Sequence, residues 1–245
     1  MRNGWCQMNW LPEDMDRENH GNMKTYEYVF QYFSNQILSG KMKIGDKIPP
    51  EREISEKLGV SRNSIREVMH MLEINGLIEC VQGSGNYVRC NPHEYMTIFA
   101  HIIMTLMDIG YEEILYIRIG FELVALRQAI NNAKEEELKR IHEALLNMET
   151  AKTREESVFW DQEFHSRLIE ASHNRMLILY YSMIREITNR FISDLRVKIL
   201  SVPEKSDELG RSHWGIYDAL VNKDYMVGSV AMNRHFEIVG NELFS

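Results

Sequence analysis

Lys57-Leu58-Gly59-Val60-Ser61-Arg62-Asn63-Ser64-Ile65-Arg66-Glu67 is a turn that delivers a short helix whose first exposed residues are hydroxyls, an amide and two arginines. Upstream, Pro49-Pro50 end one segment. Pro50 pre-sets the backbone for a helix opening at Glu51, where acidic side chains suit the positive end of the helix dipole. Ile54 and Leu58 fall on one side of that helix. Gly59 supplies the turn, Val60 plugs inward, and Ser61 caps a second helix along which Ile65, Val68, Met69 and Leu72 form an apolar stripe. Gly76 ends it. The opposite face carries Arg62, Asn63, Ser64 and Arg66, types that pair with guanine edges, adenine edges and phosphates once the helix lies in a major groove. Arg52, near the start of the preceding helix, is placed to hold a phosphate or a base edge.

After Gly76, Leu77-Ile78-Glu79-Cys80-Val81 and Tyr87-Val88-Arg89 flank Gln82-Gly83-Ser84-Gly85-Asn86, the pattern of a hairpin wing. Gly83 and Gly85 let the tip approach a sugar-phosphate backbone, although they also suit any ordinary hairpin. A helix-turn-helix pattern alone is compatible with two packed helices and a solvated charged face. The wing favours the groove-reading interpretation.

The run from Tyr26 to Val88 resembles the winged-helix DNA-binding domain of the GntR family of bacterial transcription regulators. The residues that carry the likeness are Ile37-Leu38-Ser39-Gly40, Gly45-Asp46-Lys47-Ile48-Pro49, Glu51-Arg52-Glu53, Leu58-Gly59-Val60-Ser61-Arg62, Ile65-Arg66-Glu67, Asn75-Gly76-Leu77-Ile78 and Gly83-Ser84-Gly85. The resemblance implies that Arg52, Arg62 and Arg66 are the principal DNA-contacting arginines, with Ser61, Asn63, Ser64 and the glycines at 83 and 85 nearby.

The 245 residues suffice for two domains, and 44% hydrophobic content is that of a globular chain. A formal charge of -8 argues at first against nucleic acid. Divided along the chain, however, residues 24–90 hold nine basic and eight acidic residues, whereas residues 91–245 hold 17 and 24. The acidity lies mostly in the second part, and pairing two near-neutral heads doubles their phosphate contacts. Cys6, Cys80 and Cys90 form neither a metal spacing nor an even disulfide set, which suits a reducing cytoplasm. Residues 1–23 lack an apolar core and read as a poorly ordered arm, neither signal peptide nor membrane span.

From Glu94 onward Gly and Pro become scarce and apolar residues recur at helical spacing, as in Ile114, Ile117, Phe121 and Val124, or Ile178, Tyr181, Ile184 and Ile187. Breaks near Asp108-Ile109-Gly110, Asn131-Asn132, Lys152-Thr153, His173-Asn174, Ser201-Val202-Pro203 and Lys223-Asp224 predict about seven helices in an antiparallel bundle. The expected fold is therefore mostly α: a winged helix-turn-helix of three helices plus a small β-hairpin over 24–90, then an all-α bundle over 91–245.

Polar intrusions interrupt those stripes. Asp161 and His165 are four apart, so a helix stacks them on one face among Phe164, Leu168 and Ile169, while His213 and His235 lie on two later helical segments. One carboxylate and three imidazoles would suit zinc first, with nickel or manganese as alternatives, and leave positions open for a ligand. Taken singly, each histidine reads as a surface or satisfied core residue. Residues 95–245, however, resemble the ligand-binding domain of FadR-type GntR regulators, the FCD branch. The matches are Arg118-Ile119-Gly120-Phe121-Glu122, Asp161-Gln162-Glu163-Phe164-His165, Ala171-Ser172-His173-Asn174, His213 with Ala219-Leu220, and Asp224 with His235. That resemblance implies Asp161, His165, His213 and His235 as ligands of a divalent metal, and the segment from Tyr95 to Asp108 suits the subgroup with seven helices.

Arg118 interrupts an apolar face and could clamp a carboxylate effector bidentately beside the metal, or simply pair with Glu122 one turn away. Arg185 and Asn189 sit one turn apart and are further candidates that nothing in the sequence separates from a solvated face. The expected function is a cytoplasmic, homodimeric, metabolite-responsive repressor on a palindromic operator, with metal and a small carboxylate effector tuning DNA affinity. The competing reading is a metal-dependent hydrolase or isomerase with an accessory DNA-binding module. Against it, Glu163 points away from Asp161 and His165 on a helix, and no nucleophile motif appears. A constitutive DNA-binding factor with a structural metal would leave Arg118 unexplained.

Overall fold

The structure is a computed structural model that describes residues 24–91 and 93–243; the expected arm at 1–23 lies outside the described residues. The chain forms two compact units that divide between Met96 and Thr97. No helix among the described residues is long and apolar enough to cross a membrane.

The first unit holds helices α1 (Thr25–Leu38), α2 (Glu51–Leu58) and α3 (Arg62–Ile74) and the antiparallel pair β1 (Ile78–Val81) and β2 (Gly85–Val88). α2 opens directly after Pro50, and its C-cap is Gly59 at φ 62°, a left-handed conformation that costs glycine little. Ser61 caps α3, its Oγ accepting from the Ser64 amide at 3.1 Å. Ile65, Val68, Met69 and Leu72 are all buried, against Val29 and Phe33 of α1, Ile54 of α2, and Ile78 and Val88 of the hairpin. The hairpin has a partner the sequence did not signal. Lys47 bridges Tyr87, the Ile48 amide donates to the Asn86 carbonyl, and the Val88 amide donates to that of Asp46. Two glycines at the tip have positive φ, Gly83 at 75° and Gly85 at 118°.

α4 (His93–Leu106) runs across the division between Met96 and Thr97, and the second unit continues with α5 (Tyr111–Asn132), α6 (Glu135–Thr150), α7 (Arg154–Ala171), α8 (Arg175–Leu200), α9 (Pro203–Asn222) and α10 (Tyr225–Leu243). The breaks lie at or beside the predicted turns; Asn131 and Asn132 are the last residues of α5, and the break itself is Ala133-Lys134. Three breaks contain a non-glycine residue in the left-handed region, Asp108, His173 and Lys223, each just past a helix end. Thr153 caps α7 and Asn174 caps α8 through their side chains. α9 and α10 pack as an antiparallel pair against α5, and α7 packs on α5, α6 and α8.

The predicted core stripe of α5 needs correction. Ile114 is buried, but Ile117 and Val124 are 55% and 46% exposed. The inward face instead carries Leu115, Arg118, Glu122, Ala125, Leu126 and Ala129. α5 is apolar around much of its circumference, so periodicity does not select its buried side.

Candidate metal and effector site

On the first unit, Arg52, Ser61, Arg62, Asn63 and Arg66 are exposed and Ser64 is half-buried. Arg62 has no ion-pair partner among the described residues. Arg66 is held by Glu51, Nη2 to Oε2 at 2.9 Å and Nε to Oε1 at 3.3 Å, and Arg52 faces Glu56 at 3.6 Å. Ser61 spends one acceptor on its cap, and its hydroxyl lies 2.9 Å from that of Ser64. Gly83 is exposed at the wing tip; Gly85 sits against Lys47, whose Cε would lie 3.1 Å from an added Cβ.

In the bundle, α7, α9 and α10 bring Asp161, His165, His213 and His235 together. The ligand atoms of the three histidines lie within 4.8 Å of one another, and all three rings are buried. Asp161 Oδ1 is 3.2 Å from His213 Nε2, and Oδ2 is 3.8 Å from His165 Nε2. His213 and His235 stand at similar distances before and after the α9–α10 turn at Lys223-Asp224, which sets their rings opposite each other at 4.5 Å between centroids. Gly228 allows that closeness, because a Cβ there would lie 2.8 Å from the Ala219 Cβ.

The Nδ1 atoms decide the tautomers. His213 Nδ1 donates to the Leu209 carbonyl at 2.9 Å, which can only accept. His165 Nδ1 is 2.5 Å from Glu122 Oε2. His235 Nδ1 is 3.3 Å from Ser212 Oγ, whose own hydrogen goes to the Leu209 carbonyl at 2.6 Å. With all three Nδ1 atoms donating, three Nε2 lone pairs turn inward, and none has a hydrogen-bond partner. Burial pushes His213 and His235 below the ordinary imidazole range; the neighbouring His213 and His165 push His235 further. Burial opposes ionisation of Asp161, yet the Arg196 charge holds its carboxyl well below the usual range. Three bare lone pairs without a donor, beside a carboxylate that Arg196 already engages, make the electrostatic environment of a cation site. The residues fit a divalent metal.

Arg118 makes the expected pair with Glu122. Only 1% exposed, it donates from Nε to Glu122 Oε1 at 2.7 Å, and its Nη2 has no partner. Its guanidinium lies 5.1 Å from the Phe236 ring centre. It lines an inner cavity of about 10 Å³ together with Asp161, Arg196 and His235. Burial opposes ionisation of Glu122, but His165 and Arg118 outweigh it and keep the carboxylate charged. Arg185 is exposed, and Asn189 engages α7 through its backbone, accepting from Gln162 Nε2 at 2.9 Å. Glu163 is turned away and pairs with Arg167 at 3.1 Å.

Two participants escaped the sequence reading. Glu122 was visible only as a salt-bridge partner, yet it also orients His165. Arg196, 6% exposed on α8, binds Asp161 Oδ1 through Nη1, with Ser157 Oγ at 3.3 and 3.1 Å from its Nε and Nη2. Nothing in its spacing marked it among the basic residues of α8.

Comparison with known proteins agrees with this architecture. Residues 25–88 match the family described as bacterial regulatory proteins, gntR family, and residues 113–238 match the FCD domain. The Uxu operon regulator of Haemophilus influenzae is 31% identical over 234 residues, covering 90% of this chain and 82% of that protein. The Uxu operon transcriptional regulator of Escherichia coli is 29% identical, covering 90% and 87%, and the Glc operon transcriptional activator of the same species 26%, covering 89% and 88%. A solved structure described as Streptococcus agalactiae GntR shares the fold, with a TM-score of 0.60 at 22% identity over 88% of this chain and 99% of that one. The chain therefore belongs to the GntR family of bacterial transcription regulators, with a winged helix-turn-helix followed by an FCD domain.

Proposed function

We propose that this regulator is a homodimeric repressor that binds a palindromic operator and responds to a small carboxylate through a metal-centred site. Asp161, His165, His213 and His235 hold a divalent cation, zinc first and nickel or manganese as alternatives. When bound, the ion supplies a Lewis-acidic point for an effector oxygen. Arg118, through its unpartnered Nη2, offers the effector carboxylate a charge-assisted hydrogen bond. Arg52, Ser61, Arg62, Asn63, Ser64 and Arg66 read the operator, and Gly83 and Gly85 bring the wing to the backbone. The observation that carries the reading is the trio of buried, partnerless Nε2 atoms around Asp161. The relatives' names as operon regulators support the DNA-binding half. Coupling of about 1–3 kcal/mol between effector and operator would give roughly 5–150-fold control.

Elemental analysis of the purified wild type and His213→Ala, with melting in a series of small carboxylic acids with and without chelator, tests it. The expected result is about one metal per wild-type chain, its loss in the variant, and a chelator-sensitive shift with at least one acid. A full ligand response in metal-free protein would refute the sensor.

A further inference from the structure

Two cationic claims converge on Asp161. One is the metal the imidazole trio invites; the other is already in place, the Arg196 guanidinium on Oδ1, steadied by Ser157. Oδ1 is also the oxygen that faces His213 Nε2 at 3.2 Å. A divalent ion taking that oxygen would meet a positive charge at bonding distance, and like charges in a buried site repel strongly.

Arg196 also stands at a boundary. It lines the inner cavity of about 10 Å³ with Arg118, Asp161 and His235. It equally lines an outer cleft of about 620 Å³, with Ser157, Asp207, Arg211, His213 and Trp214. Among the described residues, no other lines both spaces. The inner cavity holds roughly one water and no carboxylic acid, so a ligand that reaches Arg118 must first move a wall. The side with room for a displaced guanidinium is the outer cleft, whose lining holds the carboxylates of Asp207 and Glu149 together with Lys152, Arg154 and Arg211.

We propose that Arg196 is a displaceable counter-ion and gate: it holds Asp161 in the ion-free chain, and a divalent cation on the imidazole trio takes the carboxylate and turns Arg196 outward. Cation binding thereby opens the inner cavity and precedes effector binding. The inference rests on the metal reading of the site.

Zinc alone is the probe. Full-length wild type, Arg196→Gln, Arg196→Lys and His213→Ala are titrated in competition with a chromophoric chelator and melted with and without zinc. Arg196→Gln is expected to bind zinc at least tenfold more tightly than wild type. Without zinc it melts lower, because Asp161 loses its partner, and zinc closes the gap. Arg196→Lys, which keeps the charge but loses the planar fork, serves where the glutamine variant does not fold, and is also expected to bind more tightly than wild type. Zinc affinity equal to or weaker than wild type in the folded variants overturns the proposal, as does a melting deficit that zinc leaves untouched. Wild-type zinc binding that depends on His213 but ignores Arg196 removes only this inference. Zinc on neither wild type nor Arg196→Gln removes the metal reading and the gate together.

Discussion

The imidazoles of His213 and His235 face each other as bare bases, and this has a measurable consequence in acid. Both titrate below the ordinary imidazole range when folded, burial being the leading cause. Below about pH 6.5 the unfolded chain gains protons at these positions that the folded chain refuses. Stability of chelator-treated protein therefore falls as pH drops through that value. Asp161 and Glu122, whose carboxyls are also depressed, extend the loss below about pH 4.5. Melting temperature followed from pH 8 to pH 5 should decline, and the decline should flatten in His213→Gln; an unchanged slope would contradict the neutral state of that ring. On the first unit, Arg62 is exposed and free of any described ion pair, whereas Arg66 must leave Glu51 to reach a base. Arg62→Ala is expected to weaken binding to an operator selected from random duplexes by about 1–3 kcal/mol per lost bidentate contact. Metal content should not change. Equal affinity would remove α3 as the reading helix.

Helix packing determines whether those residues meet. Gly228 of α10 lies so near Ala219 of α9 and Leu126 of α5 that an added Cβ would sit 2.8 Å and 3.1 Å from them. Gly228→Ala must part the helices that carry His213 and His235, an overpacking cost of about 1–3 kcal/mol. The variant should melt several degrees lower and hold zinc more weakly, read by the same chelator competition; unaltered values would mean that α9 and α10 need not be so close. Helix ends were legible in the sequence because their causes are local: Pro50 before α2, Ser61 before α3, Asn174 before α8, and Pro203 at the start of α9. The buried face of α5 was not. Ile117 and Val124 looked like core, but the side of α5 that carries Arg118 and Glu122 among Leu115, Ala125 and Leu126 faces inward, where Glu122 meets His165.

At the scale of the whole molecule, each unit has its own apolar core. A cation that binds only the folded bundle stabilises it by about 2.7 kcal/mol at one hundred times its dissociation constant. Zinc should accordingly raise the melting transition of the second unit; no shift would argue against an ion bound at Asp161 and its histidines. What the amino-acid order determined by itself was everything set within a few turns of chain. That includes the exposed Arg62, Asn63 and Arg66 of α3, the hairpin, the helix breaks, and the stacking of Asp161 with His165 four residues on. Only tertiary packing decided that Glu122 would lock the tautomer of His165, that Arg196 would occupy Asp161, and that Lys47 would extend the wing. These partners lie 43, 35 and 40 residues apart. Periodicity reports which side of a helix is apolar, but the point where buried charges meet depends on how separate helices rotate and approach, and no local pattern encodes that.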